Sequence, residues 1–273
     1  MSQIFIVLLG SLRLIAISLV LLFGCIPTVV LGWIPVRFHG AKLSAWFVTL
    51  LTRLFNRIFS IRSTCTNPRR MARHRGLIVA NHSSYLDVIA LMNGSPARFM
   101  AAAEVRHMPV IGPMTAACET VYVDRKDKQS RLAARQAVTN ALHGNPCPPI
   151  AIFPEGKLGP GDHLYPFHHG TFTPAIETGT AILPCAIRYN RPDVVTWYGG
   201  IRQESIVTAV WRLATHRGRI SIELIPLQPI TPVPGDDPAS LAAGAQRQIE
   251  DALGFPPSTT TLEAESPVSP ASN

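Results

Sequence analysis

A histidine and an aspartate five positions apart have the types and spacing needed for acid–base chemistry. His82 and Asp87 lie in segment 81–87, which reads Asn-His-Ser-Ser-Tyr-Leu-Asp and follows an apolar run. Ser83 or Ser84 can cap a helix there, which would place His82 before the helix and Asp87 one turn inside it. A carboxylate that accepts from one imidazole nitrogen fixes the tautomer and leaves the other nitrogen as a base. The two residues are a candidate catalytic dyad, and the same spacing also suits a purely structural pair.

Two further polar segments follow apolar runs and carry groups that could bind a substrate. Segment 153–157 reads Phe-Pro-Glu-Gly-Lys, and segment 122–125 reads Tyr-Val-Asp-Arg. An acid beside a glycine turn, as at Glu155 and Gly156, suits the carboxyl end of a strand in a parallel sheet, where functional groups collect. Arg125 offers a cation to an anionic group. Taken singly, these residues also fit a capping glutamate in a tight turn and a surface ion pair.

Short apolar runs alternate with helix-like segments from residue 76 onward. The runs predict buried strands at 76–80, 97–101, 119–123, 149–153, 181–187 and 219–224. The other segments predict helices at 84–92, 128–142, 171–179 and 238–253. This alternation indicates an α/β fold with a largely parallel sheet flanked by helices. In such a fold the ligand crevice lies at the carboxyl ends of the strands, where the candidate residues fall.

The amino-terminal part of the chain is strongly apolar. Residues 14–34 contain no charge and are long enough for a helix that crosses a hydrocarbon core of about 30 Å. Pro27 would kink such a helix, so a straight span and a re-entrant helical hairpin both fit the pattern. Segment 41–60 places Trp, Phe, Leu and Ile on one helical face and mainly polar or basic residues on the other. Although a core-packed helix shares this period, the two segments together predict a membrane-docking helix pair.

The charge distribution favours a membrane partner as well. The chain has a net charge of +8, and residues 1–86 carry ten Lys or Arg residues and no acid. These cations suit anionic lipids and predict a cytoplasmic-membrane protein whose main domain lies on the cytoplasmic side. The sequence contains no zinc-finger, helix-turn-helix or RNP pattern, so no nucleic-acid partner is predicted. We divide the chain into membrane-associated helices (1–62), an α/β domain (63–255) and a disordered Ser/Thr/Pro-rich tail (256–273).

Taken in order and at their separations, the polar segments resemble the blocks of the glycerolipid acyltransferase family, which includes the 1-acylglycerol-3-phosphate acyltransferases. The family's blocks are Asn-His-x4-Asp, Val-Asp-Arg, Phe-Pro-Glu-Gly and an apolar stretch with a proline. They are matched by Asn81, His82 and Asp87, by 123–125, by 153–156 and by 182–187. The resemblance covers about residues 65–230, and the amino-terminal helix pair is similar to the membrane-docking part of bacterial members.

The resemblance implies transfer of a fatty acyl group from acyl-CoA or acyl carrier protein to the hydroxyl of a lysolipid. His82 would be the catalytic base and Asp87 the residue that orients it. The residues implied to bind substrate are Asn81, Arg125, Glu155, Gly156 and Lys157. Neither a metal nor a resident cofactor is implied, and the partners are membrane lipids, the lysolipid acceptor and the acyl donor.

The chain departs from the family at residues 157–158, where Lys-Leu replaces Thr-Arg. The usual phosphate-binding arginine is missing, and a lysine supplies a point charge rather than a bidentate fork. We predict 1-acylglycerol 3-phosphate as the acceptor, which would give phosphatidic acid in phospholipid biosynthesis. A lysophospholipid or a lyso-aminolipid such as lyso-ornithine lipid is the alternative acceptor. The non-enzyme alternative is a catalytically inactive membrane protein that binds lipid.

Overall fold

The strands form one small and one large sheet. The computed structural model describes residues 3–197 and 204–257. Within these ranges the strands are β1 (Arg37–Phe38), β2 (Ala41–Lys42), β3 (Ile61–Cys65), β4 (Leu77–Ala80), β5 (Arg98–Ala102), β6 (Val121–Val123), β7 (Ile150–Ile152), β8 (Ile182–Tyr189) and β9 (Ile220–Pro226). β1 and β2 form an antiparallel pair, and the others form one sheet in the order β3-β9-β8-β4-β7-β5-β6. Neighbouring strands of this sheet are parallel except for β8 and β9.

Helices cover both faces of the large sheet. They are α1 (Gln3–Trp33), α2 (Leu43–Ile58), α3 (Pro68–Arg73), α4 (Leu86–Met92), α5 (Ile111–Ala117), α6 (Lys128–Gly144), α7 (Thr173–Thr178), α8 (Pro192–Val195), α9 (Ile206–Thr215) and α10 (Pro238–Leu253). Successive residues of β4 point to opposite faces, so that Ile78 packs in a core cluster with residues of α4 and α9. Leu77 packs in a second cluster with residues of α6 and α10. The predicted α/β fold with a largely parallel sheet and flanking helices is confirmed.

The sheet contains β3 in addition to the predicted strands. β3 lies at one edge of the sheet and pairs with β9 alone. Its residues alternate between more buried and exposed positions, with Arg62 and Thr64 exposed. The apolar pattern that would predict a strand is weak here because only Ile61 and Cys65 are hydrophobic. The surrounding arginines make the segment read as a basic stretch of chain. The predicted division between residues 62 and 63 falls inside β3, and most of the predicted tail lies outside the described residues.

α1 is one continuous helix that passes through Pro27, not a hairpin. It is the one helix among the described residues that is long and apolar enough to cross a membrane, and large apolar side chains such as Leu8, Leu19 and Phe23 are exposed along it. Its glycines face the rest of the protein. A Cβ atom on Gly10 or Gly24 would lie 2.7 Å from a side chain of α9 or α2 respectively, so these positions allow close helix packing.

Arg13 fixes the amino-terminal half of α1 to the α/β domain. Its guanidinium is buried and donates to the carbonyl oxygens of Ala214 and His216, and to the Ser60 hydroxyl. A lone cation in an apolar helix would be costly in lipid, and here its hydrogen bonds are made with protein carbonyls instead. α1 therefore packs as part of the folded domain along one side.

α2 buries its small and polar face. Ala45, Thr49 and Asn56 are buried, and the Asn56 amide donates to Asn93 at 2.8 Å. Leu50 and Leu54 on the other side are 56% and 39% exposed. The helical period of α2 is the predicted one, but the predicted apolar face is only partly outward. Phe55 and Ile58 of that face pack against the core, whereas Leu50 and Leu54 are left exposed.

Candidate active site

His82 and Asp87 meet where β4 ends and α4 begins. The His82 Nδ1 atom lies 2.8 Å from Asp87 Oδ2, and the Asp87 side chain is fully buried. The main-chain N–H groups of Ser83 and Ser84 also donate to Oδ2, each at 2.9 Å. Both groups belong to the loop before α4, which begins at Leu86, so they have no partner within that helix and can bond the Asp87 side chain of its first turn. The predicted turn-to-helix juxtaposition is thus present.

The hydrogen bonds of Asp87 decide which imidazole nitrogen carries the proton. A carboxylate that already accepts two N–H groups can only accept at the third contact, so His82 donates from Nδ1. The Nε2 atom is then the lone-pair nitrogen that can take a proton from a substrate. The imidazole ring stacks on Phe153, with ring centroids 4.0 Å apart and planes inclined by 13°. Phe153 follows β7, so two neighbouring strands hold the ring.

Glu155 holds the main chain of His82. One carboxylate oxygen accepts the His82 N–H at 2.7 Å, and the other accepts the Tyr165 N–H at 3.0 Å. The side chain is buried, and that burial raises the pKa of Glu155 to about 7 despite these hydrogen bonds. Glu155 therefore contacts the main chain of the loop that carries His82. Its predicted contact with substrate is untested and stays a prediction.

The raised pKa of Glu155 predicts a pH-dependent stability difference between the wild type and Glu155→Gln. The folded state binds the Glu155 proton more tightly than the unfolded state, whose pKa is the ordinary 4.5. The contribution of Glu155 to stability therefore falls as the pH rises from 4.5 to about 7, by up to about 3 kcal/mol. Denaturant unfolding in detergent at several pH values should show this fall for the wild type relative to the variant. A difference that does not change with pH would contradict the assignment.

Two glycines allow the loop after Glu155 to close on His82. Gly156 has a φ of +70°, and Gly159 donates its N–H to the His82 carbonyl oxygen at 2.6 Å. A Cβ on Gly159 would lie 2.8 Å from the Glu155 carboxylate, so a side chain would disturb both contacts. Sequence reasoning singled out Gly156 and missed Gly159. No spacing rule identifies Gly159, because its partner lies 77 residues earlier in the chain.

His82 lines a cavity of about 1410 Å³. This volume exceeds the roughly 300–1,000 Å³ of common small-molecule pockets. Much of the wall is apolar and includes Val20 of α1, Val48 of α2 and Met114 of α5. The amino-terminal helices therefore form part of the wall of the cavity that contains the candidate base.

The cavity also contains polar and charged side chains. Arg125, which follows β6, lines it, and burial lowers the pKa of this guanidinium. Lys157 lines it too, with Nζ 3.9 Å from the centre of the Tyr165 ring. The structure thus brings both predicted cations into the cavity of His82. Asn81, Glu155 and Gly156 are not among the residues that line it.

Asn81 links the loop that carries His82 to the carboxyl-terminal part of β8. Its side-chain oxygen accepts the Ile187 N–H at 2.7 Å, and its side-chain nitrogen donates to the Ile187 carbonyl at 3.0 Å. Both polar ends of the amide are engaged with the main chain, and the residue is buried. The side chain thereby continues the pairing of β4 with β8 by one step beyond the last strand residue, Ala80. Its predicted role in substrate binding is not tested by this geometry.

Comparisons with known proteins agree on one family. A family model described as Acyltransferase matches residues 62–188. The lyso-ornithine lipid O-acyltransferase of Pseudomonas aeruginosa is 33% identical over 216 residues, which cover 78% of each chain. The 1-acyl-sn-glycerol-3-phosphate acyltransferase of Neisseria gonorrhoeae is 29% identical over 140 residues, 51% of this chain and 54% of that protein. The chain therefore belongs to the glycerolipid and lysolipid acyltransferase family, and the predicted family is confirmed.

The fold agrees with a solved structure. The crystal structure of the 1-acyl-sn-glycerophosphate acyltransferase from Thermotoga maritima superposes with a TM-score of 0.61 and covers 93% of this chain and 97% of that chain. The two sequences are 16% identical, so this likeness concerns the fold. The family, the relatives and the fold together make this protein an acyltransferase of lipid metabolism.

Proposed function

We propose that the protein transfers a fatty acyl group from acyl-CoA or acyl carrier protein to the hydroxyl of a lysolipid at His82. The observation that carries the proposal is the position of His82 on a large, mostly apolar cavity that also contains Arg125 and Lys157. The apolar wall suits acyl chains, and the cations suit an anionic headgroup or donor phosphate. No metal or resident cofactor takes part in this proposal.

The proposed reaction needs only a positioned base. The lysolipid hydroxyl oxygen attacks the thioester carbonyl carbon while its proton passes to His82 Nε2. The tetrahedral intermediate then breaks its carbon–sulfur bond, and the departing thiolate receives the proton from His82. Asp87 stabilises the imidazolium that exists between these two transfers. The acyl group passes directly from donor to acceptor, so no acyl-enzyme is formed.

The acceptor we favour is 1-acylglycerol 3-phosphate, which gives phosphatidic acid. Arg125 and Lys157 support this choice because a phosphate monoester attracts both cations.

A lysophospholipid or lyso-aminolipid is the second candidate acceptor, and one observation favours it. Glu204 lines the cavity, and its Oε2 atom is buried without a hydrogen-bond partner among the residues that the structure describes. The other oxygen, Oε1, pairs with Arg212, and an ammonium group on the acceptor would be a partner for Oε2. The name of the Pseudomonas aeruginosa relative points the same way.

Arg125→Ala should weaken acceptor binding more than it slows chemistry. If Arg125 binds the headgroup equally in the ground and transition states, the acceptor KM should rise by about ten- to a hundredfold while kcat changes little. The assay uses purified protein in vesicles, a labelled acyl donor, and lysophosphatidate, a lysophospholipid and lyso-ornithine lipid as parallel acceptors. Lys126→Ala, an exposed cation next in sequence, is the control. An unchanged KM for every acceptor would remove Arg125 from the site.

The same panel separates the two acceptor classes. If the acceptor is lysophosphatidate, that lipid should be acylated fastest and Glu204→Gln should leave its KM unchanged. If the lysolipid carries an ammonium group, Glu204→Gln should raise the KM for that lipid, because the variant replaces the carboxylate that would bind the ammonium group by a neutral amide. Acylation of none of the three lipids would contradict the proposed reaction.

We further propose that α1 and α2 place this site on the cytoplasmic face of the cytoplasmic membrane. The support comes from the exposed apolar side chains of α1 and from Leu50 and Leu54 of α2, together with the acid-free, cationic composition of residues 1–86. Acceptor and product both reside in the bilayer, and residues of α1 and α2 line the cavity. A lipid can therefore move between bilayer and cavity along protein surface rather than through water.

A further inference from the structure

A tyrosine far away in the sequence reaches the buried carboxylate of the dyad. The Tyr189 hydroxyl donates to Asp87 Oδ1, the oxygen that the other donors leave free. His82, Ser83 and Ser84 all donate to Oδ2. The Asp87 carboxylate is thus held at both oxygens, and Tyr189 is the side chain that contacts the second one.

The path of β8 explains why Tyr189 arrives there. β8 pairs in parallel with β4 only as far as Cys185, opposite Ala80, and then continues to Tyr189 alongside β9. Asn81 bridges the main chain of Ile187 and keeps the two chains together beyond the last pair. Residues two apart in a strand point to the same side, so Tyr189 faces the same side as Ile187. Asn81 therefore holds β8 in the position that places the Tyr189 hydroxyl next to Asp87.

We propose that Tyr189 is a positioning residue that fixes the Asp87 carboxylate and thereby the orientation of His82. This inference rests on the proposed role of His82 and Asp87. Both oxygens lie off the Cβ–Cγ axis, so a turn of the carboxylate about that bond breaks the Tyr189 contact at Oδ1 together with the contacts at Oδ2, and Tyr189 therefore adds to the resistance against turning. Burial and the Asp87 carboxylate raise the pKa of Tyr189 well above its usual value, so its hydroxyl is a permanent donor.

Tyr189→Phe should lower kcat about ten- to a hundredfold and leave both KM values within a factor of two, because a hydrogen bond to a charged group is lost away from the substrates. Thr139→Val is the matched control. It removes a hydroxyl that donates to the Glu177 carboxylate at 2.8 Å, and that contact lies outside the dyad and the cavity. This control should keep the kcat of the wild type.

A double variant separates positioning from a structural role. In an Asp87→Asn background the loss caused by Tyr189→Phe should shrink to less than about threefold, since Tyr189 acts through the carboxylate. A wild-type kcat for Tyr189→Phe, or an equal loss in both backgrounds, would overturn the proposal. His82→Ala is measured in the same series. Full activity of His82→Ala would refute the proposed role of the dyad. An unchanged kcat of Tyr189→Phe, with His82→Ala inactive, would refute only the role of Tyr189.

Discussion

Asp87→Asn should lower kcat by about 10²- to 10⁴-fold while the variant keeps its fold. The N–H groups of Ser83 and Ser84 require an acceptor, so the asparagine oxygen should occupy the place of Oδ2. His82 can then still donate from Nδ1 and keep its tautomer. What the variant loses is the negative charge that stabilises the imidazolium after proton transfer. Steady-state kinetics with the preferred acceptor measure this loss.

A matched aspartate elsewhere in the chain controls for this substitution. Asp127 caps α6 by accepting the N–H groups of Gln129 and Ser130, each at 3.0 Å. Asp127→Asn thus alters a carboxylate that, like Asp87, accepts two main-chain N–H groups, but that lies away from the dyad. The kcat of this variant should equal that of the wild type. Equal effects of the two substitutions would mean that Asp87 serves only the start of α4.

Replacing outward apolar side chains of both amino-terminal helices should release the protein from vesicles. Leu19, Phe23, Leu50 and Leu54 are 47%, 70%, 56% and 39% exposed. If each contributes about 1 kcal/mol of burial in lipid, changing all four to Ser should lower vesicle partitioning by about 10²-fold or more. Co-sedimentation with vesicles containing anionic lipid measures the partitioning.

Activity on two kinds of acceptor shows whether the helices dock or merely pack. The quadruple variant should lose activity on vesicle-borne acceptor and keep activity on a short-chain soluble acceptor. Leu132→Ser with Val233→Ser is the control, because these exposed apolar residues lie in α6 and after β9. An equal loss on both acceptors would show that α1 and α2 serve only as core structure.

The central sheet was predictable from local sequence. The apolar runs that became β4, β7 and β8 are buried along most of their length, and such strands give continuous hydrophobic segments. β3 was not predictable in the same way, because an edge strand with one partner needs few apolar residues. α9 was also missed, although Leu213 and Ala214 on its inner side are buried. Only the folded sheet shows which surface this ten-residue helix covers.

The dyad was predictable from sequence, but its surroundings were not. His82 and Asp87 are five residues apart, so one local turn brings them together. Tyr189 lies 102 residues from Asp87 in the chain, and only the strand order of the sheet brings it close. The local pattern and the resemblance both singled out Glu155, but its contact with the main chain of His82 depends on the pairing of β4 with β7. Long-range contacts of this kind leave no periodic signal in one sequence.

The most direct test of the central claim is the rate of acyl transfer by His82→Ala. The purified variant and the wild type would be given a labelled acyl donor and the preferred lysolipid in vesicles, with His143→Ala as an exposed control. Because the hydroxyl loses its general base, we expect kcat to fall by about 10²- to 10⁴-fold while vesicle binding is unchanged. Wild-type acyl transfer by His82→Ala would contradict the account.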